Sequence, residues 1–261
     1  VLWVGRFSGG VVQLGEARKT SLPALPDRVY TLLQTSRIEG KRLLWAGTRK
    51  GLFRWDGHQW TAQDPTVGFP QVPVTHLLEA EDLDGCPILY AATRGPGLLK
   101  YREGRWTALP RPGGRDSAML NALLETRDSE GTRWLWLNTF GLGLFRAPLR
   151  GPELRWGAVP LADGPAPVNA LYTFQKDASG RVYISSNAGV IRLTSTAGAR
   201  LAFERTTFTK QDGLPSTECR QNGSFQDEQG RLWVSTVRGI ALFDPREERP
   251  DPEAKPLYLE S

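Results

Sequence analysis

The chain has 261 residues, of which 39% are hydrophobic and 10% aromatic, enough to bury a core and incompatible with a disordered chain. The formal net charge is +5, from 33 Lys and Arg against 28 Asp and Glu, and the excess is spread without a Lys/Arg run, which excludes a concentrated nucleic-acid footprint. No apolar run approaches the roughly 18 residues of a membrane span, so attachment to a membrane is expected only through segments outside this sequence.

The chain begins inside a pattern. Leu2-Trp3-Val4-Gly5 reads as the middle of a strand, and there is no starting Met, so we expect a piece cut from a larger precursor. The same pattern returns as Leu44-Trp45-Ala46-Gly47-Thr48, Leu89-Tyr90-Ala91-Ala92-Thr93, Leu135-Trp136-Leu137-Asn138-Thr139, Val182-Tyr183-Ile184-Ser185-Ser186 and Leu232-Trp233-Val234-Ser235-Thr236. The aromatic recurs at 3, 45, 90, 136, 183 and 233, a period that fits a four-stranded propeller blade. A glycine follows each aromatic by six or seven residues (Gly10, Gly51, Gly97, Gly143, Gly189 and Gly239), then an apolar stretch, which predicts a hairpin. Ahead of four of the aromatics stands an Asp-x-x-Gly turn: Asp82/Gly85, Asp128/Gly131, Asp177/Gly180 and Asp227/Gly230. Each turn has too few carboxylates at alternate positions for a calcium loop.

Upstream of the turn an inner strand is expected at Val29–Leu33, Val74–Leu78, Leu120–Leu124, Val168–Tyr172 and near Asn222–Phe225. An outer strand with its own aromatic is expected at Trp60, Trp106, Trp156 and Phe208. The 28 glycines and 19 prolines leave little room for helices. The fold class is therefore all-β: a β-propeller of four-stranded antiparallel blades, either six-bladed or part of a seven-bladed ring. The propeller is placed at 1–245, its first blade truncated, and 246–261 at a linker and the start of a following β-sandwich domain.

The last unit carries Asp212-Gly213-Leu214-Pro215-Ser216, Gly230-Arg231-Leu232-Trp233-Val234-Ser235-Thr236, Gly239-Ile240 and Phe243-Asp244-Pro245. This resembles the two-component regulator propeller repeat of bacterial membrane-bound signalling proteins. The chain departs from that repeat at Ala92, Asn138, Ser185 and Ser235, where the repeat has Gly, and at Arg6, where it has Thr. The resemblance implies a ligand-sensing or interaction module on the periplasmic side of an inner-membrane receptor. A β-sandwich, a transmembrane helix and a cytoplasmic histidine kinase or diguanylate cyclase would follow, and receptor chains would self-associate.

In a propeller of this strand order the starts of the inner strands and the glycine hairpins share one channel mouth. Tyr30, Thr75, Asn121, Asn169 and Asn222 are expected at equivalent inner-strand positions. Arg49, Lys50, Arg94, Phe140, Asn187 and Arg238 come from the hairpins, and Arg220 lies beside the last inner strand. Converging, they would favour an anionic or hydroxyl-rich small ligand or a glycan. Two readings compete with sensing: a structural or protein-interaction propeller without a small ligand, and a channel-site lyase using His76. The fragment is read as non-enzymatic. No phosphate loop, serine elbow or zinc motif appears, so no catalytic residue, metal or cofactor is expected, and Cys86 and Cys219 read as unpaired thiols.

Overall fold

The computed structural model describes residues 2–6, 8–15, 18–112, 119–151, 153–161, 170–196 and 203–248. They form six small antiparallel sheets arranged as a six-bladed β-propeller, with helix confined to short 3-10 turns. Blade 1 is β1 (Leu2–Gly5), β2 (Val11–Leu14) and β3 (Lys19–Ser21). Blade 2 is β4 (Val29–Thr35), β5 (Leu43–Thr48), β6 (Gly51–Trp55) and β7 (Trp60–Ala62). Blade 3 is β8 (Val74–Glu81), β9 (Pro87–Thr93), β10 (Leu98–Arg102) and β11 (Arg105–Ala108). Blade 4 is β12 (Met119–Arg127), β13 (Arg133–Phe140), β14 (Gly143–Pro148) and β15 (Gly157–Val159). Blade 5 is β16 (Leu171–Lys176), β17 (Val182–Ser186), β18 (Gly189–Ser195) and β19 (Phe203–Phe208). Blade 6 is β20 (Cys219–Gln226), β21 (Leu232–Thr236) and β22 (Gly239–Phe243).

Each sheet pairs its strands in chain order, innermost first, so hairpins alone build a blade. Blade 1 lacks an inner strand and blade 6 an outer one among the described residues. The inner strands β4, β8, β12, β16 and β20 meet in sequence around the axis.

The core lies between blades. The repeated aromatic of one blade and the first residue after its hairpin glycine pack on the next blade. Trp45 and Leu52 of blade 2 meet Leu77, Leu89, Ala91, Leu99 and Tyr101 of blade 3. Tyr90 and Leu98 meet Leu123, Leu135 and Leu137 in the same way, as do Trp136 and Leu144 with Phe174, Val182, Ile184, Ile191 and Leu193. Period-2 alternation puts one apolar set on each sheet face, so every blade is sandwiched by its neighbours.

The turn aspartates tie each blade to itself. Asp128 accepts the amides of Glu130 and Thr132 and the Trp134 indole N–H at 2.7 Å. Asp227 accepts the amides of Gln229 and Arg231 and the Trp233 indole at 2.9 Å. Desolvation opposes ionisation there, but Trp233 and Arg231 outweigh it and hold the Asp227 carboxyl at about 2. These oxygens are used by their own turns.

One expected position shifts: Trp156 immediately precedes β15 instead of lying within it. The inner strand of blade 5 is described over Leu171–Lys176, and the expected start at Val168 lies outside the described residues. The first residues of the expected linker are anchored: Arg246 pairs with Asp244 at 2.6 Å, and Glu248 pairs with Arg181 at 2.6 Å and with Arg192 of blade 5. The remainder of 246–261 lies outside the described residues. Both cysteines are free thiols.

Candidate functional site

One end of the channel is built by a repeated irregularity. In β4, β8, β12 and β16 a single residue drops out of register at the same place: Tyr30, Thr75, Asn121 and Tyr172. Such a bulge bends the strand and re-aims one side chain. Thr75 donates to the carbonyl of Leu120 in the next blade at 2.6 Å. Asn121 does the same to Leu171 at 2.8 Å. These bulged groups therefore stitch neighbouring inner strands together. The register puts Tyr172, not Asn169, at this position in blade 5, and Asn169 lies outside the described residues.

Blade 6 breaks the pattern. Between the pairs Cys219–Thr236 and Ser224–Val234, four residues, Arg220 to Gly223, stand opposite Ser235 alone. Asn222 adopts φ +56°, a left-handed conformation that Asn tolerates better than most residues. A Cβ on Gly223 would lie 2.3 Å from the Ser235 hydroxyl, so only glycine permits this close approach. Gln221 reaches the Asn121 side chain at 3.4 Å, from blade 6 to blade 4. The wide bulge therefore reaches past blade 5 to the inner strand of blade 4.

Three of the four residues that replace glycine in the repeated motif serve these bulges. Asn138 accepts the Ala122 amide at 2.7 Å, the N–H next to the bulge. Ser185 bonds Thr173, which donates to Ser224 of blade 6 at 2.7 Å. Ser235 donates to the Gly223 carbonyl at 2.9 Å. At Gly47 a Cβ would meet Thr31 at 2.6 Å, which explains the glycine retained there.

The hairpins do lie at the same mouth. The amides of Arg49, Arg94, Asn187 and Val237 donate to carbonyls at the inner-strand starts, namely Arg28, Pro73, Ala170 and Glu218. Several of the expected side chains are engaged by the protein itself. Arg49 is paired with Asp27 at 3.0 Å. The Arg28 amide and Arg49 hold that carboxyl below its usual range. Arg94 lies over the Tyr30 ring at 5.3 Å. Asn187 accepts the Ala170 amide at 3.1 Å and closes a turn. Lys50, Phe140, Arg220 and Arg238 are exposed, and Asn222 is half-buried. The wide bulge itself was not foreseen; the Asn222-Gly223 pair facing a serine was its one visible sign.

His76 follows the bulge in blade 3, and its Nδ1 accepts the Leu123 amide at 3.4 Å. Desolvation pushes its pKa down to about 4, so the ring is neutral at pH 7. The unfolded chain titrates near 6.5 and therefore binds more protons between about 4 and 6.5. Stability is complete above that window and falls as pH drops through it, by a total on the order of 3 kcal/mol. Urea melts from pH 4 to 7 should show this slope, and His76→Gln should flatten it. Parallel profiles for the two proteins would contradict the assignment. Among the described residues, no group of three His, Cys, Asp or Glu side chains converges to hold a metal.

No family model and no curated protein matches the chain. Solved structures do. The extracellular domain named for a hybrid two-component system, BT4673 of B. thetaiotaomicron, is 18% identical with a TM-score of 0.65, over 92% of this chain and 31% of that one. The corresponding domain of BT3049 is 15% identical with a TM-score of 0.61, over 93% and 37%. A catalytically inactive virginiamycin B lyase from Staphylococcus aureus, with quinupristin, is 13% identical with a TM-score of 0.61, over 89% and 72%. The chain spans about a third of the length of the two-component domains. No helix among the described residues is long and apolar enough to cross a membrane. At these identities the likeness is one of fold: the chain shares its propeller architecture with extracellular domains of two-component systems and also with an enzyme.

Proposed function

We propose that this chain is the sensing propeller of a membrane-bound signalling receptor of the two-component regulator propeller family. It faces the extracytoplasmic side and reads an anionic or hydroxyl-rich small molecule or glycan at the bulged mouth of its channel. Binding is relayed to a cytoplasmic kinase or cyclase through the packing of receptor chains. The observation that carries this reading is the four-residue bulge of blade 6. There Arg220, Gln221 and Asn222 give up regular backbone pairing, Asn222 turns left-handed, and the adjoining hairpin carries Arg238. An irregularity of that kind at one blade of six serves a site better than it serves the sheet.

Thermal melts with acidic and neutral oligosaccharides test it. A ligand at 100 times its Kd adds about 2.7 kcal/mol, which is about 5–10 °C for a chain of this size. The Arg220→Ala/Arg238→Ala double variant should lose the shift while melting alone like the parent, because both side chains are exposed. An unchanged shift in the variant removes these residues from the site. A panel without any shift, together with self-association of the chain, favours the protein-interaction reading instead.

A further inference from the structure

The repeated aromatic of every blade carries a polar atom, and in all blades but one that atom has a partner in the protein. The indole N–H of Trp3 donates to Gln34, that of Trp45 to Thr35, that of Trp136 to Thr126 and that of Trp233 to Asp227, at 2.8–3.0 Å. The Tyr183 hydroxyl donates to Asp177 at 3.0 Å. Tyr90 is the exception. Its side chain is buried, with 3% of its surface exposed, and its hydroxyl makes no hydrogen bond to any described residue. The cause is local. Ala80 stands ten residues before Tyr90, where blades 2 and 4 have Thr35 and Thr126. The Asp82 carboxylate of the turn is taken by Lys100 at 2.5 Å and Arg102 at 2.7 Å. A buried hydroxyl without a partner is costly, and Phe would fill the same space without that cost.

The hydroxyl faces open space instead. Tyr90 lines a cavity of about 290 Å³ between blades 3 and 4, beside the Asp82 turn and away from the bulged mouth. Leu109, Leu149 and Leu154 give it apolar walls. The last two come from the connection between β14 and β15, which the Trp156 indole ties to blade 3 by donating to the Pro110 carbonyl at 2.9 Å. Four carboxylates line the cavity against two cations. Asp82 and Asp84 pair with Lys100 and Arg102, and Glu81 pairs with Arg37 of blade 2. Glu153, exposed at the rim, forms no ion pair with a described residue.

We infer that this cavity is a second binding site, independent of the mouth, for a small organic amine. Its apolar body lies against the three leucines, its ammonium group donates to the Tyr90 phenol oxygen, and Glu153 supplies the opposite charge. An anion is disfavoured, because Lys100 and Arg102 are already paired and the lining is acidic. A plain hydrocarbon would leave the hydroxyl unpaired. Burial, with the Asp82 charge beside it, pushes the Tyr90 pKa up, so the phenol is neutral at pH 7.

Titration calorimetry of the chain with 2-phenylethylamine tests this, with 2-phenylethanol and 3-phenylpropionate as the neutral and anionic counterparts. The amine should bind saturably and about tenfold more tightly than either counterpart. Tyr90→Phe should melt within about 2 °C of the parent, because no hydrogen bond within the fold is lost, yet bind the amine about tenfold more weakly. Glu153→Gln should weaken binding by about three- to fivefold and reduce its salt dependence. Absence of saturable amine binding overturns the inference. So does an alcohol or carboxylate that binds as tightly as the amine, or amine binding unchanged by Tyr90→Phe. A Tyr90→Phe melt several degrees lower also overturns it, because the hydroxyl would then already have a partner within the fold.

Discussion

Trp45→Ala should remove about 3–5 kcal/mol of stability, comparable to a large part of what holds a typical domain together. The indole has no exposed surface. It donates to the Thr35 hydroxyl at 3.0 Å and meets Tyr101 edge-on at 5.6 Å and Trp106 at 6.4 Å, both in blade 3. Truncation thus empties a space between two sheets and strips two rings of their edge contacts. The melting temperature should fall by roughly 6–20 °C, at about 2–4 °C per kcal/mol. Leu83→Ala, at an exposed turn, should stay within about 0.5 kcal/mol. Denaturant melts of the two variants check this. Equal losses would mean that blade junctions are not where the stability lies.

Gly189→Ala should cost more than about 3 kcal/mol, while Gly143→Ala, at the same hairpin position one blade earlier, should cost about 1–2 kcal/mol. Both glycines have positive φ, +110° and +90°. A Cβ on Gly143 would meet nothing within 4 Å, whereas one on Gly189 would lie 2.2 Å from the Phe208 carbonyl oxygen. Phe208 closes the pairing of β18 with β19, so the clash pushes the outer strand off blade 5. Similar losses in the two variants would show that backbone strain alone, and not the approach of the outer strand, fixes the glycine.

The blades were legible because their signal is local. An aromatic, a glycine turn and an apolar run are each dictated within about ten residues, and repetition made six weak signals into one strong one. What escaped was register. In Leu171–Phe174 the bulged residue is fixed only by the pairing of Leu171 with Ser186 and of Thr173 with Ser185 across the sheet. That is why Asn169 was expected where Tyr172 stands. The wide bulge was largely hidden too: Asn222-Gly223 is its one local sign, and the tight fit of Gly223 under Ser235 appears only in three dimensions. The hairpin positions were legible in the sequence, but not what their side chains engage. Asp27 beside Arg49 and Tyr30 beneath Arg94 come from other strands.

The proposed site is tested most directly by hydrogen exchange of the chain with and without a ligand that shifts its melt. Protection should concentrate in 28–30, 49–50, 119–121 and 218–223, with Arg238 and its hairpin. Protection confined to the opposite end of the channel, at the aspartate turns 82–85, 128–131, 177–180 and 227–230, would contradict a site at the bulged mouth.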